Sequence, residues 1–308
     1  MALDSDTVGI LFPGQGAQAV GMGGWLREHH SVAKDLFDQA SEVLGYDLAE
    51  LCSDGPAEKL NATEFSQPAL FVVGMAAASV LREVQPELIP KIKATAGLSL
   101  GEYTAVCFAG GLDFADALRL VMRRGQAMQA AADAVQSGMA SVIGMDLDSL
   151  NTVCESQRGE EVLQPANLLC RGNIAVSGHL SAIDRLEPAA LEAGAMKVIR
   201  LSVAGAFHTE LMRPAVAALS EALAEMPITD TNMPVYSNVD AKPHTSADEI
   251  RDLLSKQVVG PVLWEDSVKA MMADGITGFM EAGTGKILRG TLKRIARKTP
   301  VDGFGDGE

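Results

Sequence analysis

The stretch that most constrains the fold is Thr95-Ala96-Gly97-Leu98-Ser99-Leu100-Gly101-Glu102-Tyr103, in which a short apolar run stops at a serine fenced by two glycines. The run reads as a strand and the residues after Ser99 as the start of a helix. A strand that turns directly into a helix leaves no room for side chains beside the turning residue, so glycine fits on either side of it. Such a turn lifts Ser99 out of the sheet with its hydroxyl exposed. It also aims the first backbone N–H groups of the helix at the reacting centre, so nucleophile and part of an oxyanion hole come from one element. The same five residues also describe an ordinary glycine-bounded helix start, and their neighbours decide between the two.

With 308 residues, 47% hydrophobic and 21% charged, the chain can bury a large core as one large or two unequal domains. A formal net charge of -15 argues against non-specific nucleic-acid binding and against adhesion to an anionic membrane. Cys52, Cys107, Cys154 and Cys170 are far apart and lack metal-site spacing, so they read as reduced thiols and no metal is expected. No uninterrupted apolar run has the length of a membrane span, and Met1 to Asp6 lacks the order of a signal peptide.

The apolar run Val8 to Phe12 is followed by the loop Pro13-Gly14-Gln15-Gly16-Ala17-Gln18, without the spacing of a nucleotide-binding fingerprint. Gln15 at the end of a strand can instead offer a backbone N–H and an amide to a crevice. Residues 31 to 85 read as helices, with Gln67-Pro68 at a helix start. A long amphipathic helix from about Phe114 to Ala134 carries Arg119 and Arg123 on one stripe, and periodicity alone makes Arg124 a surface cation. From about Ser137 to Val203 the order is β-α-β-β-α-β, that of a ferredoxin-like module. The chain is therefore read as α/β: residues 1–136 and 204–308 form a large α/β-hydrolase-like domain with a mostly parallel sheet, into which residues 137–203 are inserted. Only Asp302 to Glu308 looks like a tail.

A serine hydroxyl is a poor nucleophile without a base. Of the five histidines, His208 in Gly205-Ala206-Phe207-His208-Thr209 is placed after a strand and before a helix, at the sheet edge where Ser99 sits. His29, His30, His179 and His244 read as surface or loop residues. The sequence forces no acid partner for the imidazole, and a backbone carbonyl can orient the ring instead.

Phe12-Pro13-Gly14-Gln15-Gly16-Ala17-Gln18, Gln67-Pro68-Ala69-Leu70, Gly97 to Tyr103, Arg124-Gly125, Ala206-Phe207-His208 and Glu281-Ala282-Gly283-Thr284-Gly285-Lys286 together resemble the malonyl-CoA:acyl carrier protein transacylases of type II fatty-acid synthesis. Leu98, Asn167 to Cys170 and Ser237 to Ala241 look closer to plastid and cyanobacterial members than to the common bacterial form, which has His where Leu98 stands. The resemblance implies a ping-pong transfer of malonyl from malonyl-CoA, through a malonyl-serine, to the phosphopantetheine thiol of acyl carrier protein. It implies Ser99 as nucleophile, His208 as base and acid, and Arg124 as the holder of the malonyl carboxylate, whose shape a guanidinium fork matches. Gln15 and Leu100 would supply the oxyanion N–H groups, with the Gln15 amide helping to place Arg124. A main-chain carbonyl of the Pro261-Val262-Leu263 loop, at Leu263, would orient His208. No metal or redox cofactor is implied; the expected partners are acyl carrier protein and malonyl-CoA, with no nucleic acid and no membrane span, in a monomer of a bacterial cytoplasm or plastid stroma. Lys286, Arg289, Lys293 and Arg294, with Arg297 and Lys298 beyond them, occur with no acidic residue between them and suit an acidic carrier or CoA phosphates. A serine hydrolase or thioesterase on the same elbow, and a non-enzymatic scaffold, are the competing readings.

Overall fold

The structure, a computed structural model, describes residue 3 and residues 5–305. The rest of the stretch read for a leader, and residues 306–308 of the tail, lie outside the described residues.

Strand β1 (Val8–Phe12) is followed by helices α1 (Gly24–His29), α2 (Ser31–Leu44), α3 (Leu48–Asp54), α4 (Ala57–Asn61) and α5 (Thr63–Val84), then by β2 (Ile92–Gly97), α6 (Leu100–Phe108) and α7 (Phe114–Asp133). An intervening segment comprises β3 (Ser137–Ile143), α8 (Leu147–Arg158), β4 (Leu163–Cys170), β5 (Asn173–His179), α9 (Leu180–Glu192) and β6 (Lys197–Arg200). The chain then gives α10 (Arg213–Glu225), β7 (Val235–Tyr236), β8 (Pro243–His244), α11 (Ala247–Gln257), α12 (Trp264–Ala273), β9 (Gly278–Ala282), α13 (Ile287–Ile295) and β10 (Val301–Phe304).

The larger sheet runs β10-β9-β1-β2-β7-β8, parallel throughout except for the antiparallel edge pair β7 and β8. Every residue of β1 and β9 is buried, as expected of strands covered by helices on both faces. Helix α5 lies almost wholly in the core and is long and apolar enough to cross a membrane by length and composition alone. Counting uninterrupted apolar runs passes over it, because Ser66 and Gln67 break the run. It starts at Thr63, so Gln67-Pro68 lies one turn inside the helix rather than at its start.

The intervening segment forms a second, antiparallel sheet in the order β4-β5-β3-β6, as its β-α-β-β-α-β pattern predicts. Val142, Leu150, Val176, Ile183 and Leu186 belong to a core of its own. It is stitched to the rest of the protein where Leu168 N–H donates to the Val262 carbonyl (2.9 Å) and Val262 N–H to the Ala166 carbonyl (2.8 Å).

Two expectations change. Residues 201–209 carry no strand: β6 belongs to the small sheet, and His208 lies on an irregular crossover back to the large one. Residues 302–304, read as the start of a tail, pair with β9 as part of the edge strand β10. A four-residue strand containing Asp302 and Gly303 has too little β propensity to be recognised locally.

The ends of β1 and β2 and the start of α6 meet with no space for side chains. A Cβ on Gly97 would lie 1.9 Å from the Gly101 carbonyl carbon, one on Gly101 would lie 2.1 Å from the Phe12 oxygen, and one on Gly14 would lie 2.2 Å from the Leu98 oxygen. All three obstructions are backbone, which cannot swing aside. Gly101→Ala should therefore lower stability by about 3 kcal/mol or more in urea unfolding. Gly290→Ala, in α13 with open space around it, should be neutral or stabilising by up to about 1 kcal/mol. A Gly101→Ala midpoint equal to that of the unsubstituted protein would show that the seam tolerates a methyl group.

Candidate active site

Ser99 occupies the turn between β2 and α6 with φ 51° and ψ -101°, a strained conformation for a residue with a side chain. Ser99-Leu100-Gly101-Glu102 has the spacing of a capping box, in which the serine hydroxyl and the glutamate carboxylate would both be spent on helix N–H groups. The structure wires these groups differently. Ser99 N–H donates to Asn238 Oδ1 (2.7 Å), and Asn238 Nδ2 donates to the Gly97 carbonyl (2.8 Å), so one amide straps both sides of the turn. Glu102 Oε2 accepts from Asn238 N–H (3.1 Å) and Gln257 Nε2 (2.6 Å). The serine makes no side-chain cap, and its oxygen is left for chemistry.

His208 Nε2 lies 2.8 Å from Ser99 Oγ, and His208 Nδ1 lies 2.9 Å from the Gln257 carbonyl. A carbonyl only accepts, so Nδ1 carries the ring hydrogen and the Nε2 lone pair faces the serine hydroxyl. His208 has a φ of 63°, and its loop is held where Ala206 N–H donates to Ser137 Oγ and Thr209 Oγ1 donates to the Ala206 carbonyl. Burial, and then the Arg124 cation, push the imidazole down to about 4, so it is a neutral base at physiological pH.

Arg124 is 1% exposed, so periodicity alone misplaced it. Its Nη1 donates to Gln67 Oε1 (2.6 Å), and its Nη2 donates to Gln257 Oε1 (3.0 Å) and Ser99 Oγ (3.1 Å). The guanidinium lies 4.9 Å from the centroid of the Tyr103 ring. Its Nε is buried without a partner. Arg119 and Arg123, by contrast, are exposed and pair with Asp116 and Glu225.

The remaining expected site residues fall as follows. Gln15 and Leu100 line the same small cavity as Ser99, Arg124, Phe207 and His208. The Gln15 amide is turned to Thr63 Oγ1 (3.3 Å) rather than Arg124, which Gln67 and Gln257 hold instead. The carbonyl that orients His208 is that of Gln257, not Leu263. The Leu263 carbonyl is occupied by Ser267 N–H and Ser267 Oγ at the start of α12. Of the basic run, Lys286, Lys293 and Arg294 are exposed, and Arg297 and Lys298 lie beyond the end of α13. Arg289 is not free: it pairs with the buried carboxylate of Glu281 (3.1 Å), which also accepts the Leu288 and Arg289 N–H groups that open α13. Sequence reasoning missed Gln257, Asn238 and Glu102. The Ser-x-x-Glu spacing was the one local signal among them.

The catalytic cavity is small, ≈ 60 Å³, and adjoins a cleft of ≈ 390 Å³; Gln15, Leu98, Asn167, Leu201 and Val203 line both. The cleft is lined from both parts of the chain, by Ser141 and Leu169 of the small sheet and by Gly16, Asn61 and Ile287 of the larger part. A neutral base hydrogen-bonded to a serine, beside backbone N–H groups and a buried cation, can perform acyl transfer onto Ser99.

Residues 10–300 match the family model described as an acyl transferase domain. The chain is 40% identical over 304 residues to the malonyl CoA-acyl carrier protein transacylase of Bacillus subtilis, covering 98% of this chain and 94% of that protein. The solved malonyl CoA-acyl carrier protein transacylase of Coxiella burnetii superposes with a TM-score of 0.94 at 37% identity, over 98% of this chain and 95% of that one. A malonyl-transacylase solved in complex with a type II PKS acyl-carrier protein gives a TM-score of 0.93 at 35% identity, over 97% and 96%.

A general base works in its unprotonated form, so with His208 in that role a depressed value would extend activity toward acid. At saturating thioester, the rate of Ser99 acylation should stay nearly level from pH 8 to about 5 and fall only as pH approaches about 4. A descending limb centred near 6.5, the ordinary imidazole value, would contradict the buried neutral base.

Proposed function

This chain belongs to the malonyl CoA-acyl carrier protein transacylase family, and we propose that Ser99, His208 and Arg124 carry out its transfer of malonyl from malonyl-CoA to acyl carrier protein for fatty-acid synthesis. The observation that carries this reading is Arg124: a buried guanidinium 3.1 Å from the nucleophile, with an unpartnered Nε and, among the described residues, no carboxylate in ion-pair contact. A thioester whose acyl group ends in a carboxylate supplies the missing anion.

In the first half-reaction the Ser99 oxygen attacks the thioester carbonyl while His208 Nε2 takes the hydroxyl proton. The developing oxyanion lies against the backbone N–H groups of Gln15 and Leu100. Collapse breaks the C–S bond, and the leaving sulfur takes the proton back from His208, so CoA departs as a thiol and the imidazole is neutral again. In the second half the phosphopantetheine thiol gives its proton to His208 and attacks the malonyl-serine ester. Ser99 leaves and recovers that proton. Both halves balance with Ser99, His208 and the two thiols, so the reaction asks for no cofactor.

We read residues 1–136 and 204–308 as the catalytic domain and residues 137–203 as a domain that walls the cleft. Lys286, next to the cleft-lining Ile287, and the exposed Lys293 and Arg294 farther along α13 suit an acidic carrier, with Arg289 supporting the helix rather than the partner. The protein is read as a monomer, in a bacterial cytoplasm or a plastid stroma.

Intact mass after brief exposure to malonyl-CoA or acetyl-CoA tests the assignment. The unsubstituted protein should gain one malonyl group and little acetyl, and Ser99→Ala should gain neither. Arg124→Ala should lose about 2 to 5 kcal/mol of preference for malonyl over acetyl. Equal labelling of the unsubstituted protein by both thioesters would sink the role of Arg124, and a malonyl adduct on Ser99→Ala that of Ser99.

A further inference from the structure

Arg124 and Glu102 are both buried, and among the described residues neither makes an ion-pair contact. Glu102 is 2% exposed, and its carboxylate is met by the Gln257 amide (2.6 Å), the Asn238 N–H (3.1 Å) and the Ser237 hydroxyl. Gln257 joins the two: Arg124 Nη2 donates to Gln257 Oε1 (3.0 Å), and Gln257 Nε2 donates to Glu102 Oε2. The amide orientation is fixed, because the flipped form would set N–H against guanidinium and oxygen against carboxylate. The amide dipole therefore points its negative end at the cation and its positive end at the anion, which couples two charges that do not meet.

We propose that Glu102 is a positioning residue that serves as the resident counter-ion of Arg124 through the Gln257 amide, and that the malonyl carboxylate takes over this role when the acyl group is bound. The inference rests on the reading of Arg124 as the malonyl-carboxylate site. Its consequence is electrostatic. The loaded site holds two carboxylates and one guanidinium away from water, and like charges sharing one buried cation cannot both stay ionised cheaply. The substrate carboxylate contacts Arg124 directly while Glu102 reaches it through an amide, so Glu102 gives way by taking one proton from solvent.

Burial has already pushed the Glu102 carboxyl up to about 7, against the pull of its hydrogen bonds and of Arg124. The other titratable groups facing this cluster do not change charge near neutrality. Tyr103 on α6 is pushed up to about 12 by burial and stays a phenol. His208, on the crossover and bonded to the Gln257 carbonyl, is pushed down to about 4 and stays neutral. Arg124 keeps its charge at these pH values.

Proton uptake tests the inference on the full chain. In weak buffer at pH 7.5, malonylation of Ser99 by malonyl-CoA should take up roughly 0.7 proton per site, since Glu102 passes from mostly ionised to protonated. Glu102→Gln keeps an acceptor for Asn238 and Gln257 but removes the charge, and it should take up none. The malonyl-CoA KM, divided by the CoA inhibition constant to cancel phosphate effects, should rise on the order of tenfold from pH 6.5 to 8.5 in the unsubstituted protein. It should be flat in Glu102→Gln. Absence of proton uptake in the unsubstituted protein, or persistence of uptake and slope in Glu102→Gln, would overturn the proposal. If Glu102→Gln does not fold, the proton count of the unsubstituted protein decides alone. Failure of the Arg124 reading shows separately, as equal labelling by malonyl and acetyl.

Discussion

Every part of the site depends on where one side chain, Gln257, is held. Its backbone carbonyl accepts from His208, its Oε1 accepts from Arg124, and its Nε2 donates to Glu102 and to the Ser99 carbonyl (2.9 Å). Gln257 is the last residue of α11, where the carbonyls of a helix have no intrahelical partner and the dipole ends negative. An orphan carbonyl is thus available for the imidazole without breaking a helix bond. On the proposed mechanism, its partial negative charge would also favour the imidazolium formed when Ser99 gives up its proton. Losing the amide would strand donors and acceptors in a buried setting, at about 1 to 3 kcal/mol for each.

The large sheet serves this arrangement by bringing chain ends together. Phe12 pairs with Gly97 at the last register position of β1 and β2, so the loop after β1 and the elbow after β2 leave the sheet side by side. Gln15 and Leu100 then face one cavity from two different connections. The close backbone packing at Gly14, Gly97 and Gly101 keeps this approach rigid, and the Asn238 amide pins the strained turn. Strain at Ser99 and at His208, each on the order of 1 to 3 kcal/mol, is held by these surroundings rather than relieved by them.

How far the sequence could be read follows from how local each signal is. The elbow, the β-α-β-β-α-β order and the apolar strands β1 and β9 are written in contiguous residues, and their fold could be read before any coordinate. Ser99 was legible for the same reason. His208 was found in the wrong setting, since the apolar residues before it belong to a crossover and not to a strand. Arg124 shares its helix with two exposed arginines, and a periodicity argument cannot see that one turn of α7 faces Gln67 and Gln257. Of the Gln257, Asn238 and Glu102 set, only Glu102 left a local trace, in the Ser-x-x-Glu spacing. Three polar residues from distant elements become a network only through tertiary packing, and two of them are neutral amides without a titratable signature. The Leu263 expectation placed the carbonyl on the wrong side of a short loop for a related reason: which carbonyl is free depends on where α11 ends and α12 begins.

On the proposed mechanism, the malonyl carboxylate occupies a place prepared for it by Arg124, Gln67 and Gln257 while His208 keeps its bond to α11. A crystal structure of the Ser99-malonyl protein tests this most directly. The expected density places the carboxylate within hydrogen-bond distance of the Arg124 guanidinium, with both glutamine oxygens still on Arg124 and His208 Nδ1 still on the Gln257 carbonyl. A malonyl group whose carboxylate points into the open cleft, leaving Arg124 as it is without substrate, would contradict it.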